Sequence, residues 1–301
     1  GAVVAIGNFD GVHRGHQAVL EAAGAAAERD ATPLTVLTFE PHPRAVFKPD
    51  RAPARITPAP MKAEILEALG FDAVVEMPFT LDFAALTADQ FIDDVLVSGF
   101  GVRHVVTGFD FHFGAKRQGG PAFLMEAGRN RGFDVILVDA ERDTDIHVIS
   151  SSRIRDELQT GRLDDANRLL GYRYRVRAEV AKGEQLGRTL GYPTANMAVD
   201  GLHLPKLGVY AVLVDVLTGP HRGSYRGVAS LGVRPMFGIA IGSERTLRAD
   251  AGIHARQGRG WWSARSCCSS PPATTGVRVH LTFRAPSTGR EPHGHRPGRH
   301  C

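Results

Sequence analysis

The chain has 301 residues, 43% of them hydrophobic and 23% charged, which is enough for two packed domains, and no unbroken apolar stretch approaches the length of a membrane span. A formal charge of +4 and a pI near 9.1 suggest a polyanion partner, but the last 63 residues hold 10 of the 36 Lys and Arg and only three of the 32 acids. Residues 1–238 are therefore slightly acidic, and neither a nucleic-acid nor a membrane partner is expected. All three cysteines lie at or beyond position 267, so disulfides are not part of the design and, with no signal peptide, a reducing cytoplasm is expected.

Val3-Val4-Ala5-Ile6 is a short, mostly β-branched run that suits a strand covered on both faces. It enters Gly7-Asn8-Phe9-Asp10-Gly11-Val12-His13-Arg14-Gly15-His16, and an alanine-rich helical stretch to about Arg29 leaves it. Gly7 and Gly11 allow a tight turn with close backbone approach to a ligand, and the first-turn amides of the helix favour an anion there. His13 and His16, three apart, face the same way and can donate hydrogen bonds to phosphate oxygens. A plain capping role for the two histidines competes with that reading, but strand, glycine loop and helix start together favour a triphosphate site.

Further apolar runs at 34–39, 73–75, 102–107 and 135–138 alternate with helical stretches at 61–69, 87–97 and about 121–130. That alternation predicts an α/β doubly wound parallel sheet binding its ligand at the carboxyl ends of the strands. Three segments follow strands as such a site requires. They are the glycine loop, Phe39-Glu40-Pro41-His42-Pro43, and the glycine-bounded Gly108 to Gly119 with Phe109, Asp110, Phe111, Phe113, Lys116 and Arg117. The proline segment also fits a rigid turn, and the phenylalanines fit either a core or the flanks of a flat ring. The Pro41 to Pro60 stretch reads as a substrate-side loop. Ile149-Ser150-Ser151-Ser152-Arg153-Ile154-Arg155 fits a helix N-cap and equally a second phosphate clamp. Arg153 to Leu170 reads as two short helices broken at Gly161, which close the first domain at residue 170.

GNFDGVHRGHQ resembles the HxGH signature of adenylyltransferases in the form found in bacterial bifunctional riboflavin kinase/FAD synthetases, a nucleotidyltransferase domain followed by a kinase barrel. TFEPHP, GFDFHFGAKRQGG and ISSSRIR are similar to segments of that family in the same order. The resemblance implies FAD biosynthesis by adenylyl transfer from ATP to FMN. His13, His16 and Arg155 would be catalytic, and Gly7, Asn8, Phe9, Asp10, Gly15, Ser151 and Ser152 would hold ATP. Phe39, Pro41, His42, Pro43, Asp110, Phe111, Phe113 and Arg117 would line the flavin side. Mg²⁺ is the implied cofactor, with Asp10 the acid to examine for metal or substrate orientation. The partners are the small molecules ATP, FMN and riboflavin, and the sequence carries no signal of oligomeric state.

After Gly171 the pattern changes to alternating strands at 172–180, 209–216 and 224–231 with no helix between them, which predicts a small antiparallel barrel over 171–238. Gly187-Arg188-Thr189-Leu190-Gly191-Tyr192-Pro193-Thr194-Ala195-Asn196 fits a glycine/proline turn and also resembles the GxxLGxPTAN segment of riboflavin kinases. That resemblance assigns Gly187, Gly191, Pro193, Thr194 and Asn196 to Mg²⁺-nucleotide binding. Ser230 to Pro235 matches too, but the strand and glutamate that supply the family's kinase base are not recognisable.

From Ile239 to Cys301 the composition shifts, and only Val277 to Phe283 alternates. A disordered nucleic-acid arm and a metal site both fit that segment poorly, because of the Trp261-Trp262 pair and the lack of zinc spacing around Cys267-Cys268. A reading-frame shift near Gly238 is the expected explanation, and it leaves the barrel incomplete and kinase activity impaired. Gly1 directly precedes the first strand, so an amino-terminal piece is expected to be missing. Two other functions stay open, a non-catalytic flavin or nucleotide binder and an adenylyltransferase for another phosphate acceptor such as a pantetheine phosphate.

Overall fold

The computed structural model describes residues 1–181, 195–197, 199, 201–219, 222–232, 254–257, 260–263 and 278–283. Its first sheet is parallel and consists of β1 (Ala2–Ile6), β2 (Leu34–Glu40), β3 (Ala73–Pro78), β4 (Val102–Gly108) and β5 (Asp134–Val138), in the order β3-β2-β1-β4-β5. Successive β1 residues go to opposite faces. Val3 and Ala5 join a cluster with α1 (Arg14–Asp30), while Val4 and Ile6 join one containing Phe91, Ile92, Leu96 and Leu124. Burial on both faces explains why β1 is apolar throughout. The strand order reverses at β1, which puts the loops after β1 and β4 on either side of a topological switch point.

The proline-rich stretch read as a loop contains α2 (Pro43–Phe47), a single 3₁₀ turn Pro49–Arg51 and the start of α3 (Ala59–Ala68). The stretch expected as one helix over 87–97 starts with a Thr87 capping box on Ala88–Gln90 and continues with π-helical hydrogen bonding over Phe91–Gly99. α4 (Pro121–Arg131) precedes β5. α5 (Ser151–Thr160) and α6 (Leu163–Leu170) follow it, and Gly161 ends α5 in the left-handed conformation (φ 85°), where a Cβ is disfavoured.

The second sheet curls into an antiparallel half-barrel of β6 (Arg175–Ala181), β7 (Asn196–Met197), β8 (Gly208–Val216), β9 (Gly223–Leu231), β10 (His254–Gln257), β11 (Gly260–Ser263) and β12 (Arg278–Phe283). The order is β11-β10-β9-β8-β12-β6-β7. β12 comes from the segment expected to stand apart, yet it lies between β6 and β8, pairing Leu281 with Val176 on one side and Val214 on the other. Val279, Leu281 and Phe283 point into the core. The period-2 pattern at 277–283 is therefore a central strand, and the half-barrel does not stop at residue 238. The core of this sheet is continuous with Ile154, Leu158, Leu163, Ala166, Leu169 and Leu170, so α5 and α6 pack on the half-barrel as well as closing the first domain.

Candidate active site at the parallel-sheet edge

The β1 loop and two helix starts meet at one point. His13 caps α1, its Nδ1 accepting from the His16 N–H at 3.3 Å, and the two imidazoles stack with centroids 3.6 Å apart. Phe9 packs its edge against His16 at 5.3 Å. Phe9, Gly11 and Val12 all have positive φ (48°, 94° and 37°), a conformation that stores strain at the two non-glycine residues and that the surrounding contacts must hold. A Cβ on Gly15 would come within 3.3 Å of the His13 ring, so glycine here leaves the ring close to the helix start without crowding. Ser150 caps α5 by accepting from the Arg153 N–H at 3.3 Å, and the neighbouring Ser151 hydroxyl donates to the Asp10 carbonyl at 2.8 Å. Both helix starts thus border the same loop, and their amides favour an anion there.

Asp10 is buried, and both of its oxygens are engaged by protein groups. Oδ2 takes an ion pair from the Arg155 guanidinium. Oδ1 accepts from the Ile56 and Thr57 N–H groups at 3.0 Å each and lies 3.5 Å from Arg55 Nε. Arg55 also forks onto Glu40 at 2.7 and 3.2 Å, and Glu40 accepts from Lys62 at 2.7 Å. Lys62 is fully buried and donates to Thr38 Oγ1 at 2.9 Å as well. Asp10, Glu40, Arg55, Lys62 and Arg155 form one charge network beneath the loop. Sequence reading missed Arg55 and Lys62, since neither belongs to a glycine- or histidine-bearing block. The available signal was a lysine on the apolar face of α3 beside Met61, Ile65 and Leu66.

Burial sets the protonation of this region. It lowers the His13 pKa to about 4, with Arg155 adding to the effect, and it pushes His16 well below its ordinary value, helped by His13 and Lys62. His42 falls to about 4 through burial and then Arg55, against the pull of Asp10. For Glu40, burial pushes upward, but Lys62 and Arg55 outweigh it and the carboxyl sits below its usual range. The histidines are thus neutral near pH 7, and His16 Nδ1 is buried with no hydrogen-bond partner among the described residues.

The expected flavin-side residues divide into two groups. Phe39 and Phe113 are each 7% exposed and belong to the core, in a chain of ring contacts that runs through Phe79, Phe83 and Phe91. Phe111 stacks on Phe113 at 5.5 Å and is only half-buried, so of these three rings it is the one that reaches the surface. Asp110 and Arg117 are exposed, on a loop whose two sides are tied by paired hydrogen bonds between Phe113 and Gly119 of 2.9 and 3.0 Å. Pro41 follows a cis peptide bond, and His42 caps α2 through its Nδ1, with Pro43 in the first turn. In the second domain Asn196 lies half-buried in β7, opposite Ala181. Gly187, Gly191, Pro193 and Thr194 lie outside the described residues.

Two family models match the chain in succession. The family model for FAD synthetase matches residues 1–153, and that for riboflavin kinase matches residues 170–247. A protein of Pseudomonas fluorescens described as bifunctional riboflavin kinase/FMN adenylyltransferase is 42% identical over 235 residues, covering 78% of this chain and 74% of its own length. The protein of that description from Escherichia coli K12 is 41% identical over the same shares. A crystal structure described as a macrolide-efflux protein from Streptococcus pneumoniae superposes with a TM-score of 0.73 at 28% identity, over 94% of this chain and 84% of that one. Among the described residues here, no helix is long and apolar enough to cross a membrane.

Proposed function

Because the chain belongs to the bifunctional riboflavin kinase/FMN adenylyltransferase family, we propose that its parallel-sheet domain transfers AMP from ATP to FMN. A phosphate oxygen of FMN attacks the α-phosphorus of ATP, the bond to the β-phosphate bridging oxygen breaks, and FAD and pyrophosphate leave. No protein nucleophile is required, because positioning and electrostatic stabilisation lower the barrier to such a transfer. His13 and His16 are the donors to the α-phosphate oxygens. An approaching polyanion raises the pKa of both rings and turns two neutral imidazoles into stronger, charge-assisted donors. Arg155, Ser151, Ser152 and the starts of α1 and α5 bind the triphosphate, and Phe111 with the 108–119 loop receives the flavin. The observation that carries this reading is the meeting of the histidine pair and two helix N-termini over the Asp10–Arg155 ion pair.

Among the described residues no three His, Cys, Asp or Glu side chains converge on a cation position, and Asp10 and Glu40 are both held by arginine or lysine. Mg²⁺ would be carried by the nucleotide phosphates, its usual mode of binding, and would supply charge neutralisation there. The half-barrel would carry the family's second activity, phosphorylation of riboflavin by ATP. We assign Asn196, together with Gly187, Gly191, Pro193 and Thr194, to that nucleotide site and expect weak turnover, since the strand and glutamate that supply the family's kinase base are not recognisable in the sequence. A cytoplasmic location suits both activities, as their substrates are soluble phosphates and a vitamin precursor.

The test is product analysis after incubation with Mg²⁺-ATP and either FMN or riboflavin, alongside His16→Ala and Asn196→Ala. FAD should form from FMN, and His16→Ala should slow it about 10²–10³-fold, the cost of removing one oxyanion-type donor. Nucleotide and FMN binding without turnover by the unaltered chain would overturn the reading in favour of a binding protein.

A further inference from the structure

The two arginines that grip Asp10 have their main chains held from the second domain, by one short segment. The Arg55 N–H donates to the Gly201 carbonyl at 2.8 Å, and the His203 N–H donates to the Arg55 carbonyl at 2.7 Å, so both main-chain groups of Arg55 are engaged in a parallel bridge opposite Leu202. The His203 side chain reaches the other arginine, its Nε2 lying 2.9 Å from the Arg155 carbonyl oxygen. A carbonyl only accepts, so Nε2 carries the proton. The same segment is anchored behind, where the Tyr174 hydroxyl donates to the His203 carbonyl and the Lys206 N–H donates to the Leu158 carbonyl at 2.8 Å. Leu202 packs against the core shared by α5, α6 and the half-barrel.

We propose that His203 is a positioning residue for adenylyl transfer in the first domain, fixing the main chains of Arg55 and Arg155 so that their guanidinium groups close on Asp10 beneath the histidine pair. The proposal rests on the adenylyl-transfer reading above. The direction of the contacts supports it. An interface that merely held two domains together would be served by side-chain contacts anywhere along α5, whereas these bonds end on the backbone of the two residues whose side chains determine where Asp10 lies. Asp10 in turn sets the β1 loop, through its own carbonyl to Ser151 and its carboxylate to the Ile56 and Thr57 N–H groups. A second tie points the same way, since the Tyr172 hydroxyl donates to the Gly11 carbonyl at 2.6 Å, two residues before His13. Displacing a reacting arrangement by about 1 Å costs on the order of a hundredfold in rate, so a loosened Arg55–Arg155 frame would be felt in turnover before it is felt in binding. Burial keeps the His203 imidazole below its ordinary pKa, and a neutral Nε2–H tautomer suffices for the bond to Arg155.

The test uses the full chain with His203→Met, which fills the space but has no donor, and His203→Gln, whose amide N–H can reach the Arg155 carbonyl. Steady-state FAD formation from FMN and Mg²⁺-ATP is measured with both KM values, together with the melting temperature and hydrogen exchange over residues 54–57. The expected result for His203→Met is a kcat lower by about tenfold, KM values within about threefold, an unshifted melt and faster exchange at the Arg55 amide, with His203→Gln recovering most of the kcat. Turnover of His203→Met within twofold of the unaltered chain would overturn the proposal. So would parallel losses of kcat and melting temperature that glutamine does not restore, or failure of His203→Met to fold, either of which would assign His203 a purely structural role. An unaltered chain that makes no FAD would instead overturn the functional reading itself.

Discussion

Polar burial is distributed unevenly between the two domains. Of the buried polar and charged side chains among the described residues, all but His280 lie within the first 157 residues, and the core of the half-barrel is otherwise aliphatic and aromatic. Buried charges stabilise a fold weakly, because desolvation offsets most of their attraction. Their concentration under the β1 loop marks where the chain gives up packing efficiency to hold that loop in one arrangement. The half-barrel takes its stability from ordinary apolar packing, and it gives to the first domain a few directed hydrogen bonds.

The most disruptive way to break this contrast is to remove one member of the charge network. Lys62→Met leaves Glu40 half-buried with only Arg55 to neutralise it, and the first-domain unfolding transition should lose about 3 kcal/mol, read by denaturant titration with exchange protection resolved over β1 and β2. An unchanged midpoint would show that the network is dispensable for stability. Next in size, Leu281→Ala opens a cavity in the half-barrel and should cost about 2–4 kcal/mol in the transition that contains β6, β8 and β12. FAD formation at 25 °C should stay within about twofold as long as the sheet remains folded. A melt indifferent to Leu281→Ala would show that β12 does not hold the central position in solution.

The smallest effect sharpens the contrast through pH. His13 and His42 have folded pKa values of about 4, depressed first of all by burial, against an ordinary value of 6.5. Between those limits the unfolded chain binds more protons than the folded one, so stability is at its full value above about pH 6.5 and falls as the pH drops toward 4. Denaturation midpoints measured from pH 7 to 4.5 should fall along this course, and the double variant His13→Asn/His42→Asn should flatten the slope. A wild-type midpoint constant across that window would contradict the burial of the two rings.

The parallel sheet and the loops at its carboxyl edge were legible in the sequence because each candidate block is contiguous and sits after an apolar run. The glycine loop with His13 and His16, the ISSSRIR helix start and the 108–119 loop all occupy the positions that reading gave them. Phe39 and Phe113 were assigned to the flavin side with Phe111, yet they are core rings, since period and composition cannot tell which face of a loop aromatic meets solvent. Arg55, Lys62 and His203 escaped notice because each is an isolated residue whose role comes from partners 15 to 148 positions away.

The sequence by itself determined the alternation of strand and helix, the place of the glycine loop and of the ISSSRIR helix start, and the change of architecture after Gly171. These follow from local propensities and from hydrophobic periods of 2 and 3.6 residues, which a chain carries in its own order. Only the tertiary structure decided that β12, from a segment of foreign composition, fills the centre of the second sheet, and that a turn of the half-barrel grips Arg55 and Arg155. Both depend on which backbone hydrogen bonds pair across space, and a strand's donors and acceptors are the same whatever residues carry them.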